Sequence, residues 1–268
     1  MSEPSQEQRI AEAVARLTGT LELVENTDAV ELVAGFIDAG GAVRFSQLLE
    51  ARPAVSGAQK TEGLVALETR VLGRLAEIEA RLDDGFTHAF RPRYRLTTAA
   101  RAWSTLGQFG LLAGGPRIDA AAFKKACRSL WAPYNEFLET HLKRLRFALR
   151  DLRVEVGRAL SLAGPTAAEL GALDHAFMVA AQGVIDDLYR RITPGMEALF
   201  AARLRAILKD TDPLDSDAFS AGFGEGGWLG EILLDARALY HALLGREGRR
   251  LCDLVKSASA LDSSAGVR

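Results

Sequence analysis

The chain has 268 residues, enough for one large domain or two small ones, with the 48% hydrophobic and 25% charged residues of a globular protein that buries a core. Two widely separated cysteines, Cys127 and Cys252, exclude a disulfide framework and read as buried thiols in a reducing compartment. The net charge of −2 hides an asymmetry: Phe86–Arg158 carries fourteen Lys/Arg against five Asp/Glu, a net of +9, so the remainder sums to −11.

The elements, in chain order, are helical. Ser5 with Gln8 resembles a capping box, and Ile10, Ala13, Val14 and Leu17 follow at helical spacing. A second helix is predicted from Asp28 to Ile37 and stops at Gly40-Gly41, and Phe45, Leu48 and Leu49 mark a third short piece. Arg52–Lys60 reads as a linker separating an N-terminal helical subdomain (1–51) from a helical bundle (61–257). From Leu64, the series Leu67, Val71, Leu75, Ile78, Leu82 gives one apolar face, closed by Asp83-Asp84-Gly85. Pro92 interrupts Phe86–Thr97; a helix starts near Thr98 and ends at Gly114-Gly115-Pro116, and Asp119 caps the next, through Phe123, Cys127, Leu130 and Trp131.

The longest element comes next. Leu138, Leu142, Leu145, Leu149, Leu152 and Val156 step by four and three, the seam of a heptad pattern over 134–163. Gly164-Pro165 breaks it, Thr166 with Glu169 suggests a capping box, and Leu170, Leu173, Phe177, Ala180, Val184 and Leu188 supply the matching stripe of a return helix over 167–192. The expectation is an all-α fold, a multi-helix bundle around this long antiparallel hairpin. Phe147 and Val154 lie on the far side of the seam and predict a third helix packed there. Pro194 is expected to begin another helix, Asp210–Gly227 to form a surface loop, Trp228 to about Lys256 to form the last helix, and 258–268 to be a flexible tail.

No residue set points to catalysis, so the chain reads as non-enzymatic, without cofactor or metal. Gly222–Gly227 satisfies the letters of GxGxxG, but no strand precedes it and no βαβ unit follows. His88, His141, His175 and His241 are isolated, without the spacing of zinc or di-iron ligands; His141 and His175 read as edge residues of the hairpin. Neither adjacent carboxylate pair, Asp83-Asp84 or Asp186-Asp187, gives acid–base geometry.

The basic segment carries the functional signal. Lys143, Arg146, Arg150 and Arg153, spaced by three and four, line one flank of the long helix, and Arg91, Arg93 and Arg95 extend the patch. Ten of the nineteen aromatics fall in Phe86–Arg158. Such a surface suits single-stranded nucleic acid, a protein partner, the chain's own acidic N-terminal section (nine acids against five bases over Met1–Lys60), or merely solvent. The polar, acidic N-terminus lacks the regions of a signal peptide, and no window reaches the ~18 apolar residues of a membrane span; the expected compartment is the cytoplasm.

Three stretches together carry a family resemblance: Trp131-Ala-Pro-Tyr134 ahead of the Arg/Leu-rich helix, Ala168-Glu-Leu-Gly-Ala-Leu-Asp174 opening the return helix, and Trp228-Leu229 with Asp235 and Leu239 in the last helix. Ile192-Thr-Pro194 through Phe200 adds a fourth. Over roughly Ala122–Ser257 the chain resembles a proteobacterial domain-of-unknown-function family. Its members are encoded beside MotA/ExbB-like proton-channel subunits and OmpA-like peptidoglycan-binding proteins, including Zorya-type antiphage loci. Residues Thr20–Gly115 depart from that pattern. The resemblance implies a cytoplasmic helical accessory or effector of an ion-driven membrane motor in phage defence, acting through protein–protein contacts. The basic segment alone supports the alternative of a nucleic-acid-binding module.

Overall fold

The computed structural model describes residues 63–91, 94, 96–113, 118–210, 215–223 and 226–265. The N-terminal subdomain expected over 1–51, its linker, and Arg93 and Arg95 lie outside the described residues. Among those described there are helices and no strand: α1 (Leu64–Thr87), α2 (Ala99–Gln108), α3 (Ala120–Ala163), α4 (Pro165–Ala180), α5 (Gln182–Asp210), α6 (Ser216–Gly222) and α7 (Trp228–Ala265). The fold is an all-α helical bundle.

Several ends follow sequence chemistry. Thr98 caps α2, its hydroxyl accepting from the Arg101 amide at 3.3 Å, and Asp119 accepts from the Ala121 amide at 3.0 Å at the start of α3. Gly164 alone joins α3 to α4, at φ 154°, a backbone region that favours glycine. Pro165 occupies the first turn of α4, and no side chain caps that turn, so the capping box expected from Thr166 and Glu169 does not form.

Other ends differ from the sequence expectation. Helix α3 runs straight through Pro133, joining what read as two helices, and α5 runs through Pro194; the return rod is instead interrupted at Ala181. Tertiary packing holds the turn around Pro133. Trp131 and Tyr134 stack and are fully buried, the Tyr134 hydroxyl donates to the Thr97 carbonyl at 2.7 Å, and the Thr97 hydroxyl donates to the Leu130 carbonyl at 3.2 Å. The stretch read as a loop contains α6, capped by Asp215, with Phe219 and Phe223 buried. Helix α7 continues to Ala265 and buries Ala258, where a flexible tail was expected.

The described residues fall into two compact units. The first comprises Arg81–Lys143 and Arg190–His241; the second comprises Arg144–Tyr189 with the described parts of Glu22–Ala80 and Ala242–Arg268. The first has an aromatic core. Phe86 meets Phe137 and Tyr240 edge-on, and a second run passes from Trp103 through Phe219, Phe223 and Trp228 to Phe200 and Trp131. Two glycines here make room for neighbouring rings. A Cβ on Gly222 would lie 2.8 Å from the Trp228 ring, and one on Gly85 would collide with the imidazole of His141. His141 is therefore a core residue, 5% exposed, rather than an edge residue.

The second unit has an aliphatic core. Leu145, Leu149, Leu152 and Val156 are buried as the heptad pattern predicts, and Leu160 continues the seam. The hairpin is antiparallel: Gly171 of α4 packs on Leu160, and Arg146 pairs with Asp186. Its return face, however, is not the predicted stripe. Ala167, Ala168, Ala176, Met178, Ala181 and Tyr189 are buried, whereas Leu173, Val184 and Leu188 are exposed.

Candidate functional site

The basic row does not form one free surface. In the second unit, Arg146 is paired with Asp186 and its guanidinium lies 4.6 Å from the centre of the Tyr189 ring. Arg153 turns inward and donates to Glu247 at 2.7 Å. Lys143, in the first unit, sits 3.8 Å from Glu139 one turn away. Only Arg150 of the four has no carboxylate partner among the described residues, and Arg91 is exposed in the first unit.

Arg153 belongs to an ionic cluster that sequence reasoning missed. Glu247 of α7 accepts from Arg153 of α3 and, at 3.2 Å, from Arg250; Arg250 also pairs with Asp174 of α4. The side chains are 14–24% exposed. Burial pushes the Glu247 carboxyl up, but the guanidinium groups of Arg250 and Arg153 outweigh it, and the group titrates below the ordinary range. At Asp174 burial prevails over Arg250 and the carboxyl is held above its ordinary range. Two arginines facing two carboxylates neutralise one another, an arrangement that ties three helices together and leaves little charge for a ligand. Arg153 and Glu247 are 94 residues apart, so no local spacing announces the cluster.

The first unit holds a smaller polar group. One oxygen of Asp83 lies 2.7 Å from His241 Nε2 and accepts from Arg237 Nε at 2.9 Å. No group of three His, Cys, Asp or Glu side chains among the described residues is placed to hold a metal ion. Burial pushes the Cys127 thiol up to about 12, and Cys252 is raised by the same cause.

The remaining candidate is a groove of about 880 Å³ in the second unit, between the start of α1 and the outer side of α3. Leu64 and Leu67 form one wall; Phe147, Val154 and Leu162 form the other, with Arg150 and Arg158 among them. Phe147 is 63% exposed and Val154 64%, so no described helix covers the side where a third helix was expected. Arg70 of α1 spans to Glu155 at 3.7 Å, which holds α1 beside the groove rather than over it. Neither Arg150 nor Arg158 has an ion-pair partner among the described residues. Apolar side chains seven and eight positions apart, flanked by open guanidinium groups, make a surface for a helix rather than for a small molecule.

Among the described residues no helix is long and apolar enough to cross a membrane. No family model, curated protein or solved structure matches this chain.

Proposed function

We propose that this chain is a non-catalytic helical accessory protein that works through protein–protein contacts, with an ion-driven membrane motor complex of the antiphage type as its working partner. The observation that supports contact as its mode of action is the groove on α3 that no described helix covers, where Phe147 and Val154 are exposed beside Arg150 and Arg158. The motor as partner rests on the sequence resemblance over Ala122–Ser257.

Co-expression with the MotA/ExbB-like and OmpA-like subunits, followed by purification in detergent, tests the proposal. Co-purification is expected, and Arg150→Glu is expected to weaken it. Arg150 is the clean probe, since reversing Arg146 would also break its pair with Asp186. Persistent absence of association, in cells and in detergent, would remove the reading. A role in binding nucleic acid draws less support: three of the four cations in the predicted row face the chain's own carboxylates.

A further inference from the structure

Two helices of the first unit bring basic residues to one edge. Phe123, Cys127 and Trp131 of α3 face α5: the Arg205 guanidinium lies 4.6 Å from the centre of the Phe123 ring, the Cys127 thiol feels the charges of Arg205 and Glu197, and Trp131 meets Phe200. At 3.6 residues per turn, Lys124 falls about 20° from Trp131 around the helix axis and Arg128 about 60°. Both therefore stand on the flank of α3 that borders α5. On α5, Lys209 follows Arg205 by one turn, about 40° away. Phe123 meets Arg205 and Trp131 meets Phe200, so the segments run antiparallel and their cations form two short rows side by side.

Lys124, Lys125, Arg128, Arg205 and Lys209 are all exposed, and none has an ion-pair partner among the described residues. Two nearby carboxylates do not answer them: Asp119 caps α3 through the Ala121 amide, and Glu197 is half-buried beside Cys127. The floor between the cations is small. Ala121, Ala198, Ala202 and Ala206 are exposed, and no large apolar side chain is exposed over 120–132 or 198–209.

We infer that this edge of the α3–α5 pair is a docking surface for an anionic lipid bilayer, its cations meeting phosphate headgroups in the membrane plane. Other anions fit less well. A protein partner needs an apolar or aromatic anchor, and none is exposed here. Single-stranded nucleic acid needs aromatic faces to stack on, and Phe123 is buried under Arg205. Long cationic chains on an alanine floor suit a flat surface of headgroups, where each Lys or Arg adds about fivefold to partitioning. None of the five borders the groove on α3, so this contact stands apart from the protein contact proposed above.

The experiment is flotation of the full chain with vesicles of phosphatidylcholine, alone or mixed with phosphatidylglycerol, at low salt and at about 0.5 M salt, with circular dichroism to check each variant. Binding is expected to the anionic vesicles alone and should be lost at high salt. Lys124→Glu with Arg128→Glu should weaken it about tenfold or more, and Lys209→Glu about fivefold. Arg203→Glu is the control: Arg203 is exposed on α5 about 160° from Arg205, so the same charge change off this edge should cost no more than about twofold. No binding to anionic vesicles at low salt overturns the inference, as does an equal loss in Arg203→Glu, which would mean net charge alone. Gel shifts with single-stranded and duplex DNA run beside the vesicles. DNA binding that the Lys124 and Arg128 variant abolishes, without vesicle binding, gives the edge to nucleic acid and the lipid reading is wrong. Co-purification with the motor subunits in detergent, where no bilayer is present, reads the other contact alone, so either can fail without the other.

Discussion

Arg153 and Glu247, 94 positions apart in sequence, meet at 2.7 Å with side chains 24% and 15% exposed. Breaking a pair this sheltered strands a charge, which costs about 3 kcal/mol or more. Glu247→Gln is therefore expected to lower the unfolding free energy by about 3 kcal/mol in a urea titration. A loss well under about 1 kcal/mol, the range of surface pairs, would mean the cluster is solvated in solution.

The two carboxylates of that cluster act oppositely with pH. Glu247 titrates below its ordinary value when folded, so its stabilisation is present above 4.5 and is lost as the pH falls through the folded value. Asp174 is raised, so the folded state takes its proton more readily, and acidification through that window favours folding. Stability measured against pH should fall less steeply on the acid side in Glu247→Gln. In Asp174→Asn it should fall more steeply, and this variant should cost less at neutral pH than Glu247→Gln.

Gly85 lies inside α1 and faces His141. A methyl there overlaps an imidazole that is held among Phe86, Tyr94 and Phe137 and hydrogen-bonded to the Phe137 carbonyl at 2.9 Å. Gly85→Ala should destabilise by about 1–3 kcal/mol, despite alanine's better helix propensity. A gain in melting temperature would show that the ring moves aside freely.

Pro133 and Tyr134 should respond in opposite directions. Tyr134→Phe leaves the Thr97 carbonyl without its buried donor and should cost about 1–2 kcal/mol. Pro133→Ala returns an amide to the helix ladder and should add about 1 kcal/mol. Thermal unfolding of both variants beside the parent chain checks the pair.

Both thiols should be silent in the native state. Cys127 and Cys252 are buried, and burial holds Cys127 near 12, so almost no thiolate exists at neutral pH. A thiol-reactive dye should label neither until denaturant is added; prompt labelling of Cys127 would contradict its packing.

The seam of α3 was legible because a leucine every three or four residues has one physical solution, and Leu138 through Val156 are buried as that pattern requires. The opposing face was misread because its contact is made by small residues. Ala168, Gly171 and Ala176 give no apolar stripe to the eye, whereas the more hydrophobic Leu173 and Leu188 are exposed. Separate helices were read before and after Pro133, and Pro194 as the start of another, yet at Pro133 the stacked Trp131 and Tyr134 and the Thr97 bonds hold one helix through it. At the candidate site, the exposed Phe147 and Val154 were visible as a second apolar side, but what flanks them was not. Which cations remain open depends on Asp186 and Glu247, and their approach is decided by tertiary packing.

Gly164 also bears on how fast the molecule assembles. With one residue between α3 and α4, almost no chain has to be closed before the two rods touch, so their contacts are as local as any in the fold. The hairpin is suited to act as the nucleus on which later segments condense. A side chain at Gly164, strained at φ 154°, would then register first as slower refolding.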